Sequence, residues 1–192
     1  MEARPLTDEE LVEEAGRLAM QSVVNRWGGP FGAVIAQDGI VVARGQNRVL
    51  LTGDPTAHAE IDAIRKAIET TNPFAPAISP DHFDESTLKL SNEAGGTHNP
   101  QPRARMLNGM VIYTSGEPCP MCLAAIYWAR LDACFFGCDA ATARKAGFDD
   151  SFLYDELRKP RSARSLKTVK LTSDACVEAY EAWSHLSDQH LY

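Results

Sequence analysis

The sequence of 192 residues has little positive charge, few cysteines and no long apolar run. Its 19 lysine and arginine residues are outnumbered by 26 aspartate and glutamate residues, so the formal net charge is -7. Because the chain lacks the broad positive field that draws proteins onto nucleic-acid phosphates, we expect no nucleic-acid partner. No stretch of about 18 apolar residues occurs, and Met1 to Glu14 contains no basic and apolar leader. These absences predict no membrane span and a cytoplasmic protein.

The five cysteines do not suggest a disulfide framework, since their number is odd. Cys119 and Cys122 are separated by only two residues, a spacing that in a reducing compartment favours metal or redox chemistry. We expect the other three, Cys134, Cys138 and Cys176, to behave as small buried hydrophobic residues.

The composition is that of one globular domain spanning residues 1–192. Hydrophobic residues make up 44% of the chain and charged residues 23%, which is ordinary for a protein with a packed core. The stretch 72–108 holds five of the eleven prolines and the pair Gly95-Gly96. These prolines and glycines predict a loop insertion with little regular structure.

The apolar residues alternate between helical and strand-like spacing along the chain. We predict helices at 7–25, 57–70, 120–130, 140–146, 151–158 and 174–186, and strands at 31–36, 40–43, 110–114, 133–137 and 166–171. Thr7 and Glu10 form a capping box for the first helix, and Asp38-Gly39 predicts a hairpin. The strand, helix and strand between 110 and 137 predict a parallel βαβ unit, so the fold class is α/β with a mixed sheet and helices on both faces.

Two short motifs carry the chemistry. His58-Ala59-Glu60 and, about sixty residues later, Pro118-Cys119-Pro120-Met121-Cys122 reproduce the H-x-E and P-C-x-x-C signature of zinc deaminases. Two thiolates and one imidazole give Zn²⁺ three protein ligands, and the fourth position stays open for water, as in catalytic sites. Glu60 is then available to carry protons. We expect His58 at the entry of its helix and both cysteines in the first turn of theirs.

These residues resemble the cytidine deaminase-like superfamily, which implies a three-layer α/β/α sandwich around a five-stranded mixed sheet. The sequence is also similar to the bacterial-type guanine deaminases within that superfamily. The similar segments are Gly28 to Val34, Gly45 to Asn47, Asp54 to Glu60, Ala125 to Arg130 and Ala146 to Phe152. The resemblance implies hydrolysis of guanine to xanthine and ammonia, with Glu60 as proton shuttle.

The same resemblance implies substrate contacts. Phe31 would stack on the purine, Asn47 would hydrogen-bond its edge, and Asp150 would engage the base near the amino group as a second acidic catalytic residue. Tyr192 would reach a base in the partner subunit of a homodimer that exchanges its C-terminal segments. Each residue also has a structural interpretation: core aromatic, turn former, helix cap and chain terminus, respectively. Trp27 is a further candidate for the pocket wall, and Trp128 is expected in the core.

Three other functions remain open on the sequence alone. The zinc core is shared with deaminases that act on adenosine in tRNA or on cytosine, although the acidic net charge counts against them. Basic residues that could form a local patch for tRNA are Arg103, Arg105, Arg158, Lys159, Arg161, Arg164 and Lys167. A zinc-stabilised scaffold without turnover is the non-enzymatic alternative. A site for 2-amino heterocycles could also accept amino-triazines.

Overall fold

The computed structural model describes residues 4–71 and 106–186. Tyr192 and nearly all of the predicted loop insertion at 72–108 lie outside these ranges. The helices are α1 (Asp8–Val24), α2 (Val49–Thr52), α3 (Ala59–Thr71), α4 (Pro120–Trp128), α5 (Ala140–Lys145), α6 (Ser151–Arg158) and α7 (Asp174–Ser184). The strands are β1 (Gly32–Gln37), β2 (Ile40–Gln46), β3 (Val111–Gly116) and β4 (Ala133–Cys138).

The four strands form one mixed sheet in the order β2-β1-β3-β4. β1 is antiparallel to both of its neighbours, β2 and β3, whereas β3 and β4 run parallel with α4 as their crossover. Asp38 and Gly39 join β1 to β2 with positive φ angles of 50° and 76°, as a tight hairpin turn requires. The predicted hairpin and the predicted βαβ unit are both confirmed.

Helices cover both faces of the sheet and make the predicted three layers. On one face α1 packs against the sheet through Leu11 and Ala15, which meet Val34 and Tyr113. On the other face lie α3 and α4, with a larger core cluster. Its buried members include Ile35, Ala63, Ile64, Ile112 and Ile126. The period of 3.6 in α1 and α3 produced these apolar stripes, so both helices were predictable from sequence.

The N-terminus of α1 confirms the predicted capping box. Glu10 donates its backbone N–H to Thr7 Oγ1 at 3.3 Å, and Thr7 donates its own N–H to Glu10 Oε2 at 2.9 Å. Two backbone donors that the helix itself leaves without partners are satisfied in this way. The capped helix packs against β1 and β3.

The fifth strand predicted at 166–171 is wrong: this stretch has no regular structure and is exposed throughout. Leu166, Val169 and Leu171 do not alternate strictly with polar residues, and no described strand pairs with the outer edge of β4. A strand without a partner leaves its backbone donors and acceptors to water, so β propensity alone does not form one.

Three residues predicted in the core lie at the surface. Cys138 and Cys176 are exposed, and only Cys134 is partly buried, because no described element covers the far end of β4 or α7. Trp128 is 61% exposed. The residues of α4 are apolar on every side of the helix, so their periodicity could not indicate which side faces the sheet. Within the described residues, no helix is both long and apolar enough to cross a bilayer.

Candidate active site

Three side chains from two helix starts converge at one end of the sheet. Cys119 Sγ lies 3.6 Å and Cys122 Sγ 3.4 Å from His58 Nδ1. All three ligand atoms lie within 4.8 Å of one another, and no other such group of histidine, cysteine or acidic residues occurs among the described residues. The sequence motifs, sixty residues apart, are therefore brought into one site.

The turn before α3 aims His58 at the cysteines. Asp54 Oδ1 accepts hydrogen bonds from the Thr56 N–H at 2.8 Å and the Thr56 hydroxyl at 2.7 Å, which lower the pKa of Asp54. His58 then donates its N–H to the Thr56 carbonyl at 2.7 Å and stands one residue before the helix. The predicted position at the helix entry is confirmed. Two residues later, inside the first turn, Glu60 is 5% exposed.

The cysteines occupy the first turn of α4, as predicted. Cys119 is the N-cap, Pro120 follows it at the first helical position, and Cys122 is fully buried. A hydrogen bond from Cys122, together with a weaker one from His58, lowers the pKa of the Cys119 thiol to about 4, although burial opposes this shift. The same hydrogen bond, together with burial, raises the pKa of Cys122. Two cysteine sulfurs and one imidazole are donor types that zinc prefers.

The geometry fits a tetrahedral zinc ion. Zinc–sulfur bonds of about 2.3 Å and zinc–nitrogen bonds of about 2.05 Å at tetrahedral angles separate nitrogen and sulfur by about 3.6 Å. The two separations in this site are 3.6 Å and 3.4 Å. With three protein ligands the coordination is incomplete, so His58, Cys119 and Cys122 can hold the ion and leave one position to a water or a substrate.

A cavity of about 430 Å³ opens over this cluster, within the size range of small-molecule sites. Two acidic residues, Glu60 and Asp150, line the cavity. Burial is the largest cause of the raised pKa of each. The lining residues are Gly28, Gly29, Phe31, Asn47, Val49, Leu50, Pro55, His58, Glu60, Glu117, Cys119, Phe148 and Asp150. Most of the wall is apolar, with a few polar groups that could fix the orientation of a ligand.

Asn47 presents a donor to the cavity. Its Oδ1 accepts backbone hydrogen bonds from Gly29 at 3.2 Å and Val49 at 3.3 Å. Only the amide oxygen can accept from an N–H, so the orientation of the amide is determined and its NH₂ group remains for a ligand. A Cβ at Gly28 would lie 1.9 Å from this oxygen, which explains a glycine at that position.

Asp150 is the N-cap residue of α6 by position, yet its side chain does not cap the helix. The neighbouring Asp149 takes that role: its Oδ1 accepts the Ser151 N–H at 3.0 Å and also pairs with Arg144. The carboxylate of Asp150 is therefore left to face the cavity. Apart from Trp27, the predicted site residues that lie within the described ranges all reach the same cavity or the metal cluster.

Two aromatic rings form one wall. Phe31 meets Phe148 edge to face, with ring centroids 4.9 Å apart. Trp27 does not line the cavity; its backbone carbonyl instead accepts hydrogen bonds from Leu50 and Leu51. Sequence reasoning did not assign a role to Phe148, although it lies in a segment similar to guanine deaminases, two residues before Asp150.

Glu117 is the residue that sequence reasoning missed entirely. It immediately precedes the P-C-x-x-C motif, lines the cavity, and accepts the Ala140 N–H on Oε2 at 2.9 Å. An acidic residue beside a metal motif was the available signal. Its contact with the start of α5 could only be seen in the folded chain.

The family model for the cytidine and deoxycytidylate deaminase zinc-binding region matches residues 5–138, which include the whole metal cluster. Guanine deaminase from Bacillus subtilis is 36% identical over 187 residues, covering 97% of this chain and 100% of that protein. A crystal structure of guanine deaminase from the same organism aligns with a TM-score of 0.78 at 37% identity, covering 97% and 99% of the two chains.

A tRNA-specific adenosine deaminase from Agrobacterium fabrum is 35% identical over 108 residues, or 56% of this chain and 51% of that protein. The similarity to guanine deaminase is thus of comparable identity but extends over nearly the full chain. The metal geometry, the buried glutamate and the family match agree with one another. The chain therefore belongs to the cytidine and deoxycytidylate deaminase zinc-binding family and is a zinc-dependent hydrolytic deaminase.

Proposed function

We propose that the protein deaminates guanine to xanthine and ammonia. The observation that carries this proposal is the C-terminal part of the similarity: guanine deaminase from Bacillus subtilis matches 97% of the chain, whereas the family model ends at residue 138. Phe148 and Asp150, which line the cavity, lie beyond that limit. The part of the chain beyond the family model, which the guanine deaminase matches as well, therefore contributes directly to the ligand cavity.

The polar groups of the cavity match the edges of guanine. Asn47 offers an NH₂ donor, which suits the carbonyl oxygen or N7 of the base. Asp150 offers a carboxylate acceptor, which suits the N–H and amino edge of the base. Adenine presents an amino group where guanine has its carbonyl, so the same two residues would discriminate against it.

His58, Cys119 and Cys122 hold the zinc ion, whose chemistry is to activate water for attack on carbon near neutral pH. Glu60, which is buried and lines the cavity, would take a proton from the attacking water and deliver it to N3 of the base as C2 is attacked. Glu60, with Asp150, would then move the proton of the new C2 hydroxyl group to the departing amine, so that ammonia leaves and C2 becomes a carbonyl carbon of xanthine. Burial raises the pKa of Glu60, which suits a group that must both take up and release a proton.

Turnover across a panel of substrates tests the proposal. Ammonia and product would be measured with guanine, guanosine, adenine, cytosine, an amino-triazine and adenosine-containing tRNA, after the zinc content has been determined. We expect xanthine from guanine, and rates on adenine and cytosine lower by at least about 100-fold. Faster formation of inosine in tRNA than of xanthine from guanine would overturn the proposal, and a zinc-loaded protein inactive on the whole panel would point to a scaffold.

We further propose a homodimer that exchanges its C-terminal segments. All of α7 is exposed, and it carries Val177, Tyr180 and Trp183 at the surface, 53%, 80% and 42% exposed. Leu166, Val169 and Leu171 ahead of it are exposed as well. Clustered apolar side chains of this kind are typical of surfaces covered in an assembly, and a second copy is the proposed cover. Tyr192 would then contact the base bound by the partner.

Complementation between two inactive variants tests the exchange. In a mixed dimer of Glu60→Gln and Tyr192→Ala chains, one site contains an intact Glu60 and receives Tyr192 from the other subunit. We expect mixing to restore up to about a quarter of the unmodified activity, as random pairing predicts. A monomeric mass by light scattering, or mixtures as inactive as their components, would contradict the proposal.

The need for reduced cysteines supports a cytoplasmic location.

A further inference from the structure

The segment that contributes Asp150 to the cavity has no core of its own. Among described residues from 139 onwards no side chain is buried, whereas the elements around the metal pack into two apolar clusters. Hydrophobic burial within one chain therefore does not determine the position of α6. Specific contacts must hold its N-terminus, where Asp150 lies, against the rest of the site.

One such contact comes from Tyr154. Its hydroxyl donates a hydrogen bond to the Pro118 carbonyl at 3.2 Å, and Pro118 is the residue directly before Cys119. Tyr154 follows Asp150 by four residues, and its backbone N–H bonds to the Asp150 carbonyl at 3.2 Å. Residues four apart share one helix face, so the face that docks through Tyr154 is the one that presents Asp150.

We propose that Tyr154 is a positioning residue that holds the carboxylate of Asp150 over the metal site through its hydrogen bond to Pro118. The inference rests on the proposed function, because it assigns Asp150 a role in binding and turnover of guanine. It extends that function to a residue that does not line the cavity and that no sequence motif indicates.

Glu117 anchors the other end of the same segment. Its Oε2 accepts the Ala140 N–H at 2.9 Å, at the first residue of α5, and its own N–H donates to the Cys138 carbonyl at 2.7 Å. The chain between Ala140 and Tyr154 is thus attached at both ends to the two residues before Cys119. Phe148 adds an edge-to-face contact with Phe31 between these anchors.

The environment keeps Tyr154 a hydrogen-bond donor. Partial burial is the largest cause of the raised pKa of its hydroxyl, and the nearby negative charges of Glu117, Cys119 and Asp150 raise it further. The phenol therefore stays protonated at any pH at which the enzyme would work, and the bond to the Pro118 carbonyl is maintained. The contact is a permanent support of Asp150 and not a switch.

A double-mutant cycle tests the coupling. Steady-state kinetics on guanine would be measured first for the unmodified protein, which is the reference. The same measurement follows for Tyr154→Phe, Asp150→Asn and the double variant. Tyr154→Phe removes one neutral hydrogen bond and should lower kcat/KM by roughly 3- to 10-fold. If Tyr154 acts through Asp150, the double variant should match Asp150→Asn within about twofold. Where turnover is too slow to follow, the dissociation constant for guanine is measured instead. The same variants are then compared in proteins that also carry Glu60→Gln.

Tyr127→Phe is the matched control, since this tyrosine is 70% exposed on α4, does not line the cavity and should leave the kinetics unchanged. Tyr154→Phe should keep the zinc content and the melting midpoint of the unmodified protein. Unchanged kinetics, a full additional loss in the double variant, or a loss of zinc would each overturn the inference. An unmodified protein inactive on guanine would instead contradict the proposed function, so the two failures are distinguishable.

Discussion

The N-terminal body, residues 4–71 and 106–138, and the C-terminal segment, residues 139–186, differ in how they are held. Every buried residue in the described chain belongs to the body, which also contains the entire metal cluster. No residue of the segment is fully buried, yet the segment supplies Phe148 and Asp150 to the cavity. In the proposed function, the groups that perform the reaction lie on a packed scaffold, whereas Phe148 and Asp150 lie on a segment that is held by individual contacts.

This difference has a physical basis. Metal ligands must hold their positions to a few tenths of an ångström, and a close-packed core provides that rigidity. Groups that select a substrate can lie on peripheral elements, which change without disturbing the core. The family match, which stops at residue 138, follows the same boundary. The body therefore explains the reaction class, and in the proposed function the segment contributes to the choice of substrate.

The largest expected effect is in the body. Glu60→Gln removes the buried proton carrier while keeping the size of the side chain, so kcat on guanine should fall by about 10²- to 10⁴-fold. Zinc content and melting midpoint should stay those of the unmodified protein. Xanthine formation at a near-normal rate by this variant would show that the proton moves through another group.

A pair of truncations compares the packing of the two regions. Ile112→Ala opens a cavity in the fully buried centre of β3 and should lower the free energy of unfolding by about 2–5 kcal/mol. Leu157→Ala on α6 removes a side chain that is 60% exposed and should cost under about 0.5 kcal/mol. Denaturant titrations of both variants give the two values. Equal losses would mean that the segment contributes to the core after all.

Asp150→Asn tests the contribution of the segment to the reaction. The change replaces a charged acceptor with a neutral amide of the same shape, and kcat/KM on guanine should fall by about 10- to 100-fold. Asp149→Asn is the adjacent control; its exposed carboxylate pairs with Arg144, and its loss should leave turnover within about threefold. Equal losses in both variants would argue against a specific role for Asp150.

The smallest effect concerns the orientation of Asn47. A Cβ at Gly28 would lie 1.9 Å from the amide oxygen, so Gly28→Ala should displace this side chain and raise KM for guanine by about tenfold. Gly16→Ala, within α1, meets nothing within 4 Å and should raise the free energy of unfolding by about 1 kcal/mol without changing KM. An unchanged KM in Gly28→Ala would remove Asn47 from substrate recognition.

The body was largely predictable, and the segment only in part. The capping box of α1, the hairpin at Asp38 and the βαβ unit depend on neighbours in sequence, so local patterns identified them. The prediction of a strand at 166–171 was wrong because a strand forms only against the edge of a partner strand, which is a property of the whole sheet. Trp128 was misplaced for a similar reason, since α4 is apolar on every side.

By itself, the sequence determined the reaction class, because zinc chemistry needs particular donor atoms and His58, Glu60, Cys119 and Cys122 provide them in a specific spacing. The tertiary structure decided how each group in the cavity is oriented. Backbone donors from Gly29 and Val49 orient the amide of Asn47. Asp149, and not Asp150, bonds the start of α6, and Tyr154 holds this helix beside the metal loop. These contacts join residues distant in the chain or choose between adjacent ones, so no local pattern could reveal them.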